Sequence, residues 1–373
     1  MRRNERNAFL ILRKTFKKIY QLFTSDLSRG EIERLVKVDA RGMYAFYLRH
    51  AQNAQKPALE KKAWKRALIF ARDLFVTFLL KLTPARRLLY ALALFLFALA
   101  LIDRNLWDGV YAFVILNFLL ALELADKLIA KDELEVAREI QLSLLPDQSA
   151  PINGFEMAAF SDAAKSVGGD YYDCIALADG SALVAIGDVS GKGISAALYM
   201  VKVQTLLQMF ARESGEPCVL LERLNEQLYR SLRRNYFLTL ALLRLHPDGM
   251  TEFCRAGHTP TLFYDSEKKH CEWLEPKGFA IGLENSGRFR NSLEVSHRHL
   301  KPGDIMLLFT DGVIETADAG LHEFGESRLA QMLSRNFQAS AEVIKSILLF
   351  ELNAFRNGAE LRDDTTFVVI KRS

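Results

Sequence analysis

Residues 88–102 are fifteen consecutive apolar side chains, and after a break at 103–109 a second apolar run follows at 110–122. Apart from Asn117 neither run carries a polar stripe, and a helix that is apolar all round belongs in the heart of a large bundle or in lipid. At 1.5 Å per residue the first run makes only about 22 Å of helix, against a hydrocarbon core of about 30 Å. Arg86, Arg87 and Trp107 stand at the ends, where snorkelling and interfacial anchoring lengthen a span. The two runs therefore predict a membrane helical hairpin in preference to a soluble bundle. Residues 67–82, interrupted by Arg72 and Asp73, predict a packed or amphipathic helix rather than a third span.

Charge divides the chain at the same place. Residues 1–87 hold 21 Lys/Arg against 7 Asp/Glu, or +14, which leaves 49−21=28 against 45−7=38, or −10, for the rest. The positive-inside rule then puts both termini in the cytoplasm and the 103–109 loop outside. Ile11, Phe16, Ile19, Tyr20 and Phe23 recur among basic residues at 7–23, the pattern of an amphipathic helix that lies on anionic lipid or packs on a neighbour. Arg13, Lys14, Lys17 and Lys18 interrupt the apolar run a cleaved signal peptide would need, so secretion is not expected. The basic excess abuts the hairpin and comes with no DNA-binding motif, so no nucleic-acid partner is expected.

Residues 123–145 contain neither Gly nor Pro and stop at Pro146, which predicts a linker helix. Ile129, Val136, Ile140 and Leu144 form a sparse seam that suits a parallel homodimeric coiled coil or docking on the next domain. Val136 and Ile140 are accordingly candidate regulatory positions. Beyond Pro146 short β-like runs (FEMAAF, SALVAIGDV, FLTLALLRL, DIMLLF, TTFVVI) mix with helical patterns from Gly193, from Val219, and at 325–335 and 340–356. Strands in runs rather than strict alternation predict an α+β domain of antiparallel sheets covered by helices. The domain plan is a basic helical region at 1–87, the hairpin at 88–122, the linker helix at 123–145 and a folded domain at 146–373. Gly plus Pro is 30 of 373 residues and apolar residues are 50%, which excludes a disordered or low-complexity chain. Four cysteines without a C-x-x-C pair predict free thiols, with neither a disulfide nor a zinc site.

Four short segments of the last domain carry acidic groups beside apolar runs: Gly168-Gly169-Asp170, Gly187-Asp188-Val189, Phe309-Thr310-Asp311-Gly312 and Asp363-Asp364-Thr365-Thr366. A lone Asp-Gly is usually a turn. Four such sites suit hard divalent cations, whose two-metal centres need carboxylates delivered from different strands to one point.

Taken together these segments resemble the metal-dependent protein phosphatases related to protein phosphatase 2C (PP2C), and within them the bacterial SpoIIE/RsbU-type branch. The resemblance covers about residues 136–373. It rests on Ala137-Arg138-Glu139-Ile140-Gln141 with Leu144-Leu145-Pro146, VGGDYYD (167–173), GDVSGKGISAAL (187–198), AGHTP (256–260), LFTDGVIE (308–315) and DDTT (363–366), in order and spacing. It implies a sandwich of two antiparallel β-sheets between helices, and hydrolysis of phosphoserine or phosphothreonine with two Mn²⁺ or Mg²⁺ ions. By the same resemblance Asp188 bridges the two ions with the Val189 carbonyl as a further ligand, Asp170, Asp311 and Asp363 complete the set with Asp364 adjacent, and Asp188 and Asp311 are the catalytic core.

The arginine and histidine that eukaryotic relatives use near phosphate have no counterpart. Lys192 is the candidate substrate contact, although a lysine in a Gly-Lys-Gly turn is equally suited to solvent. His258 invites a role as general acid, yet in the AGHTP loop a structural hydrogen bond is the expectation. The resemblance further implies a phosphorylated STAS-domain anti-anti-sigma protein of a partner-switching pathway as substrate, and regulation through the helices from Gly193 and Val219. The expected protein is thus tethered to the cytoplasmic membrane with its phosphatase domain facing the cytoplasm. A catalytically silent phosphatase-like binding module is the rival, disfavoured because all four carboxylates are present. A two-metal nucleotide phosphohydrolase or cyclase lacks its Gly-rich phosphate loop here.

Overall fold

The structure is a computed structural model that describes residues 63–146, 152–233, 235–285 and 287–373, with side chains from residue 72 onward. The amphipathic helix expected at 7–23 lies outside the described residues. The chain divides into two compact units, Met1–Lys127 and Leu128–Ser373.

The first unit contains α1 (Ala63–Lys81), α2 (Pro84–Asp103) and the beginning of α3 (Leu106–Ser143). Pro84 opens α2, where a missing N–H costs nothing, and Arg104 closes it in the left-handed region at φ 52. The chain then reverses. Arg86 in the first turn of α2 reaches Asp126 at 2.7 Å and Glu123 at 3.1 Å on α3, which fixes the two helices as an antiparallel pair. The second apolar run and the linker, expected as separate elements, form one helix, because nothing between residues 110 and 143 breaks it. Phe95, Leu101, Phe113 and Leu120 are 60–68% exposed, so the pair turns much of its apolar surface outward. Two described helices have the length and apolarity to cross a membrane, α2 and Ile194–Ala211, and 44% of the latter is buried inside the second unit.

In the second unit, strands β1 (Phe155–Asp162), β2 (Asp170–Ala176), β3 (Ala182–Val189), β4 (Leu238–Leu245), β5 (Met250–Ala256), β6 (Thr261–Asp265), β7 (His270–Leu274), β8 (Val295–His299), β9 (Ile305–Phe309) and β10 (Thr365–Arg372) form two antiparallel sheets. Their orders are β1-β10-β9-β6-β7 and β2-β3-β4-β5-β8. The expected α+β class is what the chain adopts. Period-2 side chains dictate the layering, since successive residues of a strand point to opposite faces. Val184 and Ile186 of β3, Met306 and Leu308 of β9, and Val368 and Ile370 of β10 meet between the sheets. Leu183 and Ala185 of β3 point the other way, onto α4 (Ile194–Ala211) and α5 (Pro217–Tyr229). Ile305, Leu307, Phe367 and Val369 likewise face α8 (Gly325–Arg335) and α9 (Ala341–Arg356). Two one-turn helices, α6 (Gly287–Ser292) and α7 (Asp311–Ile314), complete the unit. Strands this apolar on both faces must be covered on both faces, and four layers result.

One sequence expectation is corrected. Cys218, in the first turn of α5, is joined to Cys254 of β5 as a disulfide, with Cα atoms 6.0 Å apart. The pair is 36 residues apart in sequence, and only the packing of α5 across the sheet brings it together. Cys174 and Cys271 are free, as expected.

Candidate functional site

The acidic segments collect at one edge of the sandwich because antiparallel neighbours present opposite ends there. Asp170 begins β2 and Asp188 lies near the end of β3, and the two are direct cross-strand partners. Asp311 follows β9, and Asp363 and Asp364 precede β10, which pairs with β9 through Phe309 and Phe367. Thr310 joins the two sheets at this edge: its Oγ1 donates to Asp170 Oδ2 at 2.8 Å and accepts from the Thr366 N–H at 3.0 Å. Gly312 is required in the third acidic segment, since a Cβ there would lie 1.9 Å from the Asp364 carbonyl oxygen.

Gathering these carboxylates without a counter-charge is unfavourable, and their titration reflects it. Burial and then the charge of Asp188 push Asp170 well above the usual carboxylate range. Asp188 is pushed up to about 7 by burial and then by Asp311, Asp363 and Asp364. Asp311 rises for the same reasons, burial first and Asp363 second. A site of buried, mutually repelling carboxylates with all-oxygen donors fits hard divalent cations, which neutralise the charge and prefer such ligands. Among the described residues no three His, Cys, Asp or Glu side chains are closed to a preformed cage. Lys192 stands among these carboxylates: its Nζ donates to Asp363 Oδ2 at 2.6 Å and to the Arg362 carbonyl at 3.0 Å. Burial, the largest single influence, opposes the ammonium charge, but the bond to Asp363 and the charges of Asp363, Asp364 and Asp311 together outweigh it and raise the Lys192 pKa.

The predicted ligands are not equivalent. Asp364 uses both oxygens on backbone, accepting from the Ala164 N–H at 2.8 Å and the Gly169 N–H at 2.7 Å, so it builds the loop before β2. Val189 ends β3, and its N–H bonds the Gly169 carbonyl at 3.3 Å. His258 is buried, with Nδ1 3.0 Å from Thr239 Oγ1, and burial followed by the nearby Arg255 depresses its pKa to about 3. A neutral, enclosed imidazole suits the structural role expected of it, not general acid catalysis. Val136 and Ile140 are 55% and 56% exposed on α3.

Two residues of LFTDGVIE (308–315) escaped the sequence reading. Thr310 was visible only as the residue before Asp-Gly, and Glu315, at the end of the same motif, is raised by burial and then by Asp311. Glu315, Lys192, Thr316, Arg356 and Arg362 line a cavity of about 210 Å³ beside Asp363.

A helix-flanked pair of antiparallel sheets is the fold this chain shares with solved PP2C-type phosphatase domains. The PP2C domain of SiaA from Pseudomonas aeruginosa superposes with a TM-score of 0.59 over 67% of this chain and 98% of its own length, at 22% identity. A Mycobacterium tuberculosis protein with RsbU and RsbW domains superposes with a TM-score of 0.50 over 59% of this chain and 60% of its own, at 26% identity. The family model described as Stage II sporulation protein E (SpoIIE) matches residues 178–373, more than half of the chain, and the chain belongs to that family. It is 29% identical over 247 residues to the phosphoserine phosphatase RsbU of Bacillus subtilis (strain 168), covering 65% of this chain and 70% of RsbU. It is 28% identical over 271 residues to the protein IcfG of Synechocystis, covering 65% of this chain but 42% of IcfG.

Proposed function

We propose that this serine/threonine phosphatase hydrolyses phosphoserine or phosphothreonine on a phosphorylated STAS-domain regulator, using two Mn²⁺ or Mg²⁺ ions held at the sheet edge. The observation that carries the reading is the cross-strand pairing of Asp170 with Asp188, in a cluster where burial first and neighbouring carboxylates second raise both pKa values. Asp188 is central to that cluster and is the proposed shared ligand, with Asp170, Asp311, Asp363 and the Val189 carbonyl around it. When bound, the cations supply Lewis acidity to a water and to the phosphoryl oxygens. The chain's own part is orientation. Thr310 holds the Asp170 carboxylate, and Asp364 holds the loop before it. Lys192, released from Asp363, is within the same cleft as Arg356 and Arg362 and is the proposed contact to the substrate's phosphate.

The first unit is proposed as a membrane anchor, supported by the outward apolar surface of α2 and α3 and by the basic excess ahead of them. That location puts the second unit at the cytoplasmic face. α3 is proposed to carry regulation, through a homodimer seam at Val136 and Ile140. The deciding experiment is release of phosphate from phosphorylated STAS-domain proteins by the full chain with Mn²⁺, with a chelator, and in Asp188→Asn and Asp311→Asn. Turnover that needs the cation and is lost in both variants, with the fold retained, is the expected result. Activity within a few-fold of wild type in either variant at saturating Mn²⁺ would overturn the metal assignment.

A further inference from the structure

The last turns of α3 grip the loop that precedes Asp170. Gln141 Nε2 donates to the Gly168 carbonyl at 2.8 Å, and Gln141 Oε1 accepts from the Gly168 N–H at 3.1 Å. One carboxamide therefore pairs both backbone groups of a single residue, as a neighbouring strand would. Gly168 is buried, so those groups have no water to fall back on. The next residue, Gly169, donates to Asp364 Oδ2, and the one after is Asp170. The loop is thus held between a side chain of α3 and a carboxylate at the start of β10. Gly168 cannot carry a side chain in this arrangement, since a Cβ would lie 2.5 Å from Asp364 Oδ2.

Two further sets of contacts flank the grip. Arg138, one turn earlier, donates to Asp162 Oδ1 at 3.1 Å and to the Lys165 carbonyl at 3.4 Å. The Leu144 carbonyl accepts from Gln204 of α4. Arg138 and Gln141, three residues apart, share one face of α3 that meets the loop, and the backbone just past the end of the helix meets α4.

We infer that Gln141 is a positioning residue for the metal centre: its carboxamide fixes the Gly168 backbone and, through it, the strand start that carries Asp170. The inference rests on the two-metal reading above. Only a carboxamide offers a donor and an acceptor side by side here. Glutamate keeps the bond from the Gly168 N–H but sets a carboxylate against the Gly168 carbonyl, and leucine of similar shape keeps neither. α3 therefore supports the centre without supplying a ligand, as partners behind metal ligands commonly do.

The test is calorimetric titration of Mn²⁺ into the full chain carrying Gln141→Leu, Gln141→Glu or Gln204→Leu, with melting curves and with kcat and KM on a phosphoserine substrate. Gln141→Leu should weaken Mn²⁺ binding about ten- to a hundredfold, Gln141→Glu less, and excess Mn²⁺ should restore kcat. Gln204→Leu removes the bond to the Leu144 carbonyl but leaves the loop held, and it should bind Mn²⁺ as wild type does. Wild-type affinity in Gln141→Leu, or an equal loss in Gln204→Leu, overturns the inference and leaves the two-metal reading standing. If Gln141→Leu does not fold, Gln141→Glu decides by the same criterion. Absence of Mn²⁺ binding in wild type, or binding indifferent to Asp188→Asn, overturns both.

Discussion

Lys192 Nζ lies 2.6 Å from Asp363 Oδ2, so a carboxylate of the proposed metal set already holds a cation of the chain's own. A divalent ion that takes Asp363 through Oδ2 must displace this ammonium. The pair is 45% and 32% exposed, and such pairs contribute about 0.5–1 kcal/mol. Lys192→Met should therefore tighten Mn²⁺ binding about two- to fivefold while raising KM for a phosphoserine peptide, because no ammonium remains at this position to meet the phosphate. Unchanged KM with tighter Mn²⁺ binding would confine Lys192 to its place beside Asp363.

Asp188 makes the metal-free protein sensitive to pH. Its folded pKa near 7 lies above the ordinary carboxylate value, so between about pH 4 and 7 the folded chain keeps a proton that the unfolded chain has released. Stability must then fall as pH rises through that window and level off above it. Three pKa units set a ceiling of about 4 kcal/mol, and about half of that lowers the melting temperature by about 4–8 °C in a domain of this size. Chelator-treated protein should melt lower at pH 8 than at pH 5, Asp188→Asn should flatten the slope, and saturating Mn²⁺ should remove it. A melting temperature equally pH-dependent in Asp188→Asn assigns the slope to other groups.

Location follows from the apolar helix pair. The full chain should sediment with membranes and withstand high-salt and carbonate extraction, whereas a chain beginning at Glu123 should remain in the supernatant. Residues 1–122 behaving as a monodisperse protein without detergent would make the pair the centre of a soluble bundle instead.

The continuity of α3 can be interrupted upstream of the Gln141 grip. A Gly-Gly insertion beside Lys131, at about 1 kcal/mol of helix propensity for each glycine, should change basal phosphatase activity of the full chain. Mn²⁺ affinity should hold, because the contacts from Arg138 to Leu144 lie beyond the insertion. Serine at both Val136 and Ile140 should act in the same direction and shift the chain towards monomer in analytical ultracentrifugation. Wild-type activity and oligomeric state in both variants would reduce the helix to a tether.

Strand alternation and the acidic strand ends were legible in the sequence because both are local: two-residue periodicity names the buried faces, and Asp170, Asp188, Asp311 and Asp363 each sit where an apolar run begins or stops. The spatial roles of their neighbours were not. Asp364 looked like a second ligand beside Asp363, yet its oxygens are spent on the N–H groups of residues 164 and 169, about 200 positions away. Thr310 and Gln141 stood inside the quoted motifs without a function, since what they bond is backbone or a carboxylate from a different strand. Cys218 and Cys254 show the same limit, as no spacing rule anticipates a helix laid across a sheet.

The pairing of Asp170 with Asp188 has an evolutionary corollary. Both residues belong to one hairpin, so inserting or deleting a single residue in the 177–181 connection, if it slipped the register by one, would turn one of the two side chains to the opposite face. The same slip would exchange Leu183 and Ala185 with Val184 and Ile186 between the two core layers, so site and core would fail together. Folded descendants that have lost the activity should therefore arise by substitution of an aspartate, with the length of that short turn kept.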